Sequence, residues 1–348
     1  MEEKRVDGNL KMVEGEASDL DESARIIVPG MAIPGFRTSL ALQRGVENSI
    51  LIQTWGGLGD QICAEPTLRY ALKTFKGAEI SLASECPELF GHLKFKDVFD
   101  LRKVQPHWSR YLAFNTIYPI EHLQWQFMSH MITNCVDYPS LCAFRCQLPV
   151  ADREVCLRPD TVSQQTAHHV LPSNSVVIHP GRHWPSKTFP KDWWDDVING
   201  IAQAGAVPVI IGADTKVSGG NQGTVDVNPY NAVDLRNKLN VMESVALLQR
   251  AKVLITNDSS PLHMAASGDA TILYVATCKH PDYITHWRRG VWGWRMENMG
   301  KGGIWDHQDY LPNKTSRIDV DKVPEELLRS WLPSPEEAVE RALAHLHP

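Results

Sequence analysis

Short apolar runs alternate with amphipathic stretches along most of the chain, and the first clear unit starts at residue 49. Residues 49–55 form a run typical of a buried strand, a glycine loop follows at 56–60, and residues 61–75 repeat apolar positions with helical spacing. Residues 78–83 form the next apolar run. A strand, a glycine turn, a helix and a second strand in this order predict a right-handed crossover in a parallel sheet.

The second half of the chain repeats this alternation. Predicted strands occupy 175–179, 206–211, 252–256 and 271–275, and predicted helices occupy 193–204, 242–251 and 261–267. Two regions of alternating strands and helices predict an α/β protein with two Rossmann-like, doubly wound domains. Because ligands of such folds bind beyond the carboxyl ends of the strands, we expect these loops to line a cleft between the domains.

The same pattern sets the expected domain boundaries. We predict an N-terminal domain at 25–165 and a C-terminal domain at 172–330, with a polar connection rich in Gln, Thr and Ser at 158–173. Residues 1–24 lack hydrophobic periodicity and predict a disordered acidic tail. A Ser-Pro-Glu-Glu start predicts a terminal amphipathic helix within 334–348.

Charge, the length of the apolar runs and the cysteine pattern indicate the general class of the protein. The chain has 348 residues and a net charge of −6, and residues 1–24 hold eight acids against three bases. The remaining chain is nearly neutral, so its charge does not exclude a polyanionic partner. No apolar run is long enough to cross a bilayer, and the N-terminus lacks a secretory pattern, which together predict a cytoplasmic protein. Seven scattered cysteines without a C-x-x-C pair predict reduced thiols rather than disulfides or a metal site.

The glycine loop after the first strand is the first candidate for chemistry. Gly57 and Gly59 match the first two positions of a dinucleotide fingerprint, but Ile62 occupies the third, where a small residue is needed. Asp60 opens the following helix, and its carboxylate can accept a proton from an attacking hydroxyl. The alternative is an ordinary helix cap, for which Asp is favoured.

A second candidate loop follows the predicted strand at 175–179. His179 and Gly181 end that strand, and a loop restricted by prolines then presents Ser186, Lys187 and Thr188. Hydroxyls and a lysine suit phosphate oxygens, with Lys187 as the point charge. The alternative is a plain surface lysine.

The third candidate loop follows the predicted strand at 252–256. It presents Asp258, Ser259 and Ser260 at a helix start and His263 within the first turns. A helix N-terminus with small hydroxyl residues suits a diphosphate. The alternatives are ordinary N-capping and a histidine packed in the core.

Together the three loops resemble a known family. The stretches GGLGDQICAEPTLRYAL, VVIHPG with WPSKTFP, and DLRNKLNVMESVALLQRAKVLITNDSSPLHMAA are similar, in order and spacing over about residues 50–276, to glycosyltransferase family 9, the heptosyltransferase-like enzymes that extend lipopolysaccharide cores. The resemblance implies a GT-B fold, a nucleotide-sugar donor bound mainly by the second domain, and a glycan or lipid-linked glycan acceptor bound by the first. It also implies an inverting transfer without an obligatory metal or other cofactor.

The resemblance also assigns roles by position. Asp60 matches the general base and Lys187 the phosphate-binding lysine, while Asp258, Ser259, Ser260 and His263 match the donor-side loop. In GT-B enzymes a terminal helix packs across the first domain, which implies that position for 334–348. The segment 277–311, rich in Trp and Arg, departs from the family pattern.

Three other functions remain open from the sequence. A phage-type glycosyltransferase that modifies hydroxymethylated DNA bases would use the Trp/Arg-rich segment to bind DNA. A nicotinamide-dependent oxidoreductase would use the glycine loop, against which the missing third glycine counts. A non-catalytic protein would bind the nucleotide-sugar without transfer.

Overall fold

The computed structural model describes residues 3–6, 10–13, 49–54, 56–75, 77–106, 112–115, 137–146, 153–182, 184–213, 215–217, 220–306 and 323–347. These residues form two compact units. The first holds the described residues up to Asn115 together with Tyr138–Arg158, and the second holds Asp137 and the described residues from Pro159 onward. The boundary therefore lies a few residues before the predicted one.

The first unit is built on a mostly parallel sheet. Its strands and helices are β1 (Glu3–Val6), β2 (Leu10–Val13), β3 (Ser49–Thr54), α1 (Leu58–Thr74), β4 (Glu79–Ser84), β5 (Val98–Asp100), β6 (Leu112–Asn115) and α2 (Tyr138–Arg145). The described strands are ordered β1-β2-β5-β4-β3-β6, and only the β1–β2 pairing is antiparallel. Because β3 pairs with β4 on one side and with β6 on the other, the strand order reverses at β3, where such folds place ligands.

The acidic N-terminal segment differs from the predicted disordered tail. Its described residues form the β1–β2 hairpin, and Met12 of β2 pairs with Val98 of β5. Each of these four-residue strands carries apolar residues among its charges, which allows short pairing that a search for longer periodicity misses. The other residues of the tail lie outside the described residues.

The second unit contains a second sheet. Its elements are α3 (Thr161–Val170), β7 (Ser175–His179), β8 (Gly181–Arg182), α4 (Lys191–Gln203), β9 (Val207–Ile210), β10 (Thr215–Val217), β11 (Gly220–Thr224), β12 (Val233–Asp234), α5 (Val241–Arg250), β13 (Val253–Asn257), α6 (Ser260–Ala265), β14 (Thr271–Val275), α7 (Pro281–Ile284), β15 (Trp287–Arg288), β16 (Val291–Trp292), β17 (Met296–Asn298), α8 (Glu325–Trp331) and α9 (Pro335–Leu346). Six of the described strands form a parallel sheet in the order β12-β9-β7-β13-β14-β17. The order reverses between β7 and β13, which places the loops after these two strands at the expected binding edge.

The polar segment at 158–173 is a helix rather than a connection. Asp160 caps α3 by accepting a hydrogen bond from the backbone N–H of Ser163 at 2.7 Å. Ser163 and Ala167 are buried, and α3 packs against α5. Only two small residues point inward, so the hydrophobic pattern gives little sign of a helix.

The terminal helix forms as predicted but packs elsewhere. Ala338, Ala342 and Leu346 of α9 lie in the core of the second unit, and α9 packs against α4. This differs from the position on the N-terminal domain that the family resemblance implied. The small side chains of Ala338 and Ala342 allow α9 to approach its own unit closely.

Two further expectations concern the whole chain. No helix among the described residues is long and apolar enough to cross a membrane. Of the seven cysteines, the six in the described part of the chain are free thiols.

Candidate functional site

Asp60 lies where α1 begins, directly after the strand at which the first sheet reverses. It is the third residue of the helix, and its Oδ2 accepts a hydrogen bond of 2.9 Å from the N–H of Gly57. A Cβ at position 57 would lie 3.1 Å from this oxygen, so glycine leaves room for the carboxylate. Gly59 lies within the first turn of the helix. Asp60 therefore caps the helix from its third position, N3, by accepting a hydrogen bond from the N–H of the N-cap residue Gly57.

Tyr138 is a functional candidate that the sequence did not indicate. Its buried hydroxyl donates a hydrogen bond of 2.6 Å to Oδ1 of Asp60. The two residues are 78 positions apart, and Tyr138 starts a helix in a region of weak periodicity, so no local signal connects them. The two hydrogen bonds fix the orientation of the carboxylate, while each oxygen keeps a lone pair for a further donor.

The glycine loop is fastened to the neighbouring strand by Gln61. The buried side chain of Gln61 donates to the carbonyl of Gly56 and accepts hydrogen bonds from Ser84 Oγ at 2.7 Å and from the N–H of Cys86 at 3.1 Å. Ile62 is completely buried in the core. The loop therefore has a fixed shape, and the bulky third position of the fingerprint argues against dinucleotide binding.

In the second unit, the structure joins two residues that the sequence assigned to separate loops. Lys187 ends the short 3₁₀ turn Pro185–Lys187, and its Nζ forms an ion pair with Asp258 Oδ2. Both side chains are buried, with 5% and 2% of their surfaces exposed. Burial by itself raises the pKa of the Asp258 carboxyl, but the charges of Lys187 and Lys279 hold that pKa well below its usual range.

Asn257 ties the loops after β7 and β13 together. Its Nδ2 donates to the carbonyl of Gly181 at 2.9 Å and to the carbonyl of Lys187 at 2.7 Å. A Cβ at position 181 would lie 2.5 Å from Asn257 Oδ1 and 2.7 Å from Cε1 of His179. Gly181 is therefore needed for this close approach. Asn257 lies within the third sequence motif, but only its side-chain contacts reveal its role.

His179 and Ser259 meet at the same edge of the sheet. Ser259 Oγ lies 3.0 Å from Nδ1 of His179, and Thr256 Oγ1 lies 3.3 Å from the same nitrogen. Burial lowers the pKa of His179 to about 4, so its ring is neutral at pH 7. The predicted hydroxyl of Ser259 is thus part of a buried polar cluster that supports the loop.

The remaining predicted residues have local roles in the second unit. Ser186 is buried and its carbonyl accepts a hydrogen bond from Thr277, while Thr188 Oγ1 donates to the carbonyl of Trp184 at 2.9 Å. Ser260 is the half-buried first residue of α6. Among the predicted residues Ser186, Lys187 and Thr188, it is Lys187 whose side chain contacts Asp258.

His263 is buried and forms a pair with a histidine that the sequence grouped only with the Trp/Arg-rich segment. Its Nδ1 lies 2.7 Å from Nε2 of His286, and the ring centroids are 5.0 Å apart. The sequence offered two interpretations of His263, a donor-side residue and a histidine packed in the core. The structure places it on the predicted helix, with its side chain buried.

The described part of the Trp/Arg-rich segment contains the hairpin of β15 and β16. Arg288 is buried and donates hydrogen bonds to the carbonyls of Trp294 and Arg295 at 2.9 and 3.2 Å. Arg289 pairs with Asp269. Arg288 and Arg289 therefore bind groups of the same unit and stabilise the hairpin.

Comparisons with known proteins agree with this architecture. Residues 122–289 match the family described as glycosyltransferase family 9 (heptosyltransferase). A comparison with curated protein sequences gave no match.

Solved structures with a similar fold include three enzymes of E. coli. The iron-containing dodecameric glycosyltransferase TibC from enterotoxigenic E. coli H10407 has 14% identity over 87% of this chain and 77% of its own, with a TM-score of 0.58. The ADP-heptose lipopolysaccharide heptosyltransferase II and the heptosyltransferase WaaC with ADP each have 12% identity and a TM-score of 0.50. They cover 85% and 86% of this chain and 98% and 99% of theirs. At these identities the likeness establishes the fold.

Residues 122–289 are therefore similar to glycosyltransferase family 9, and the chain shares its fold of two Rossmann-like units with solved glycosyltransferases.

Proposed function

We propose that this glycosyltransferase moves a sugar from a nucleoside diphosphate sugar, such as ADP-heptose, to a hydroxyl of a glycan or lipid-linked glycan, with inversion at the sugar carbon. The observation that carries the proposal is the buried Lys187–Asp258 ion pair at the reversal point of the second sheet. A buried pair of charges is costly, so a site that maintains one needs both groups in fixed positions. Two solved enzymes of similar fold, TibC in complex with ADP-D-beta-D-heptose and WaaC with ADP, bind such nucleotides.

On the donor side, Lys187 and the loop around Asp258 bind the diphosphate. Asp258 holds the ammonium of Lys187 at the sheet edge, and Asn257 donates hydrogen bonds to the carbonyl of Lys187 and to that of Gly181 earlier in the same loop. The positive charge meets the charge that develops on the leaving diphosphate, and no resident metal or other cofactor is part of the proposal.

On the acceptor side, Asp60 is the general base. Its carboxylate takes the proton of the acceptor hydroxyl, the oxygen forms the new bond to the anomeric carbon, and the bond from that carbon to the diphosphate oxygen breaks. Tyr138 and the N–H of Gly57 hold the carboxylate in one orientation during this step.

The variant Asp60→Asn tests the base. We expect transfer to fall by at least about a hundredfold because the amide cannot accept the proton, while ADP binding measured by calorimetry stays unchanged. Glu79→Gln is the matched control, since Glu79 is an exposed acid at the start of β4 in the same unit. Near-normal turnover of the Asp60→Asn variant would contradict the assignment, and nucleotide-sugar binding without any transfer by the wild type would favour a binding protein.

A DNA acceptor has no comparable support. The arginines that would contact DNA include Arg288, which is buried, and Arg289, which pairs with Asp269. A nicotinamide cofactor is disfavoured by Ile62, whose side chain fills the core at the third fingerprint position.

A further inference from the structure

The hairpin of β15 and β16 presents apolar side chains to solvent at its tip. Val291 has 51% of its surface exposed and Trp292 has 37%. In the described part of the chain four large hydrophobic residues are exposed, and these two are the pair that is adjacent in sequence. Neighbouring exposed apolar residues indicate a binding surface, whereas scattered single ones are normal. The tip is therefore a candidate surface for a partner.

The backbone holds this tip in a fixed shape. Arg289 and Gly290 join the two strands, and both have a positive φ, of 51° and 72°. Two successive residues with positive φ form the type I′ turn that matches the twist of paired strands. Across the hairpin Trp292 pairs with Trp287, and their ring centroids lie 5.7 Å apart. Because the tip is already ordered, a partner that binds it loses little affinity to ordering of the protein.

An exposed arginine adds positive charge beside the tip. Arg289 forms an ion pair with Asp269, so these two charges offset each other. Arg295 is exposed, donates a hydrogen bond of 3.0 Å to the backbone carbonyl of Asp269, and lies 4.7 Å from the ring centroid of Trp294. These neutral contacts leave its charge in excess. The surface therefore combines apolar side chains with a net positive charge.

The side chains of this surface also restrict the chemistry of its partner. Residues 287–295 read WRRGVWGWR, and their polar side chains, those of Trp and Arg, donate hydrogen bonds but cannot accept them. A neutral glycan needs acceptors for its hydroxyl protons, and a second copy of the surface would bring arginines against arginines. The headgroups of anionic lipids offer phosphate oxygens that accept hydrogen bonds, and the bilayer interface takes up Trp. An anionic bilayer is therefore the complementary partner.

We propose that the tip of this hairpin docks on a bilayer surface that contains anionic lipids, where Val291 and Trp292 enter the interface and Arg295 contacts lipid phosphates. Nucleic acid also offers phosphates, but an aliphatic side chain such as Val291 gains nothing from a sugar–phosphate backbone. The surface belongs to the second unit and is independent of sugar transfer. Only the use of docking, to reach a lipid-linked acceptor, rests on the proposed function.

Sedimentation of the full chain with vesicles tests the docking. We expect the wild type to sediment with vesicles of equal parts phosphatidylcholine and phosphatidylglycerol, and to bind phosphatidylcholine vesicles about fivefold less, the effect of one arginine near a charged surface. Added salt should reduce the difference. Arg295→Gln should lose most of this preference. Absence of binding to the mixed vesicles, or equal binding of the wild type to both kinds, would overturn the proposal.

Variants of the tip test the apolar contact. The double variant Val291→Ser with Trp292→Ser should bind the mixed vesicles at least about tenfold less, because it loses the apolar surface that enters the interface. Val162→Ser with Tyr230→Ser is the matched control, since it removes two exposed hydrophobic residues elsewhere in the same unit. Equal binding by the tip variant and the wild type, or an equal loss in the control, would overturn the proposal.

Val291→Asp keeps the test decisive if the double variant does not fold. This single change leaves the contact between Trp287 and Trp292 in place and brings a negative charge to the tip, so it should also lower binding to the mixed vesicles at least about tenfold. Binding of the folded Val291→Asp variant at the level of the wild type would contradict docking through this tip.

Two further outcomes separate this inference from its rivals. Retention of the wild type on DNA at the same salt, without binding to vesicles, would assign the surface to nucleic acid and overturn the proposal. Vesicle binding is measured without donor or acceptor, so it does not depend on transfer. If the wild type transfers no sugar, the proposed function fails and the vesicle result still decides the docking.

Discussion

At the scale of single residues, His179 gives the clearest dependence on pH. Its folded pKa is about 4 because it is buried, whereas an unfolded histidine titrates near 6.5. The unfolded chain therefore binds more protons between these values, so the stability present above about pH 6.5 is lost as the pH falls toward 4. At pH 4.5 this group accounts for a loss of roughly 2 to 3 kcal/mol in the free energy of unfolding.

The variant His179→Asn measures this contribution. Asn can keep an acceptor near the place of Nδ1, which Ser259 Oγ approaches at 3.0 Å, but it does not titrate in this range. Urea unfolding at pH 7.5 and pH 4.5 should show a smaller loss of stability for the variant than for the wild type. His169→Asn, at an exposed position, should behave like the wild type. Identical pH dependence in His179→Asn and the wild type would contradict the buried, neutral histidine.

The residues of the candidate site were predictable only in part. Sequence motifs find Lys187 and Asp258 because each follows a buried strand, but their 71-residue separation hides the ion pair between them. Tyr138 and His286 have no motif of their own, since their roles come from one contact each. Sequence motifs thus indicate which loops are candidates for binding a ligand. They do not indicate which side chains of different loops contact each other, because those contacts form only when the strands pair in the sheet.

At the scale of elements, the packing of α9 on α4 depends on one glycine. A Cβ at Gly200 would lie 2.9 Å from Cγ2 of Val339, closer than packed side chains tolerate. Helix propensity alone favours Ala over Gly by about 1 kcal/mol. We expect the clash to outweigh this gain, so Gly200→Ala should lower the free energy of unfolding by about 1 kcal/mol.

A double-mutant cycle tests this contact. Val339→Ala removes the opposing methyl groups, so Gly200→Ala should be stabilising in that background, with a coupling energy of about 1 kcal/mol or more between the two positions. Chemical denaturation of the four proteins gives this energy. Coupling near zero, or a Gly200→Ala single variant more stable than the wild type, would show that α9 does not approach α4 so closely.

Elements with a clear period were predicted well. The strands at 175–179 and 271–275 have the predicted bounds, because each is a short apolar run that begins at a hydroxyl residue, Ser175 or Thr271. The helix α3 was missed, since its inward face consists of Ser163 and Ala167. The pattern of α9 predicts a helix with a buried stripe, but a stripe of two alanines and one leucine does not specify which unit will cover it.

At the scale of the whole molecule, the net charge of −6 comes mostly from the first 24 residues and does not describe the charge at the candidate site. Those residues carry most of the excess of acids, while residues 25–348 are nearly neutral, with 33 acids against 32 bases. The charges of the candidate site act locally, because Lys187 and Lys279 lower the pKa of Asp258 within the second unit. Binding of a nucleotide should therefore be a property of one unit.

Hydrogen exchange with ADP as the probe tests this view on the full chain. We expect ADP to slow exchange in peptides that cover 179–188 and 257–263, and to leave peptides covering 56–60 unchanged. At a concentration a hundred times its Kd, ADP should also stabilise the protein by about 2.7 kcal/mol. Slowed exchange at 56–60 with ADP alone would contradict donor binding by the second unit.

Lys187→Met should remove this protection, because the diphosphate then loses the cation that meets its charge. Breaking a buried ion pair leaves Asp258 without its partner and costs about 3–5 kcal/mol, so the single variant can fail through unfolding alone. The double variant Lys187→Met with Asp258→Asn removes both charges and separates the two effects. Lys191→Met is the matched control, since Lys191 is an exposed lysine four positions away. If the folded double variant still binds ADP as the wild type does, Lys187 is not a nucleotide ligand and its pair with Asp258 only supports the loop.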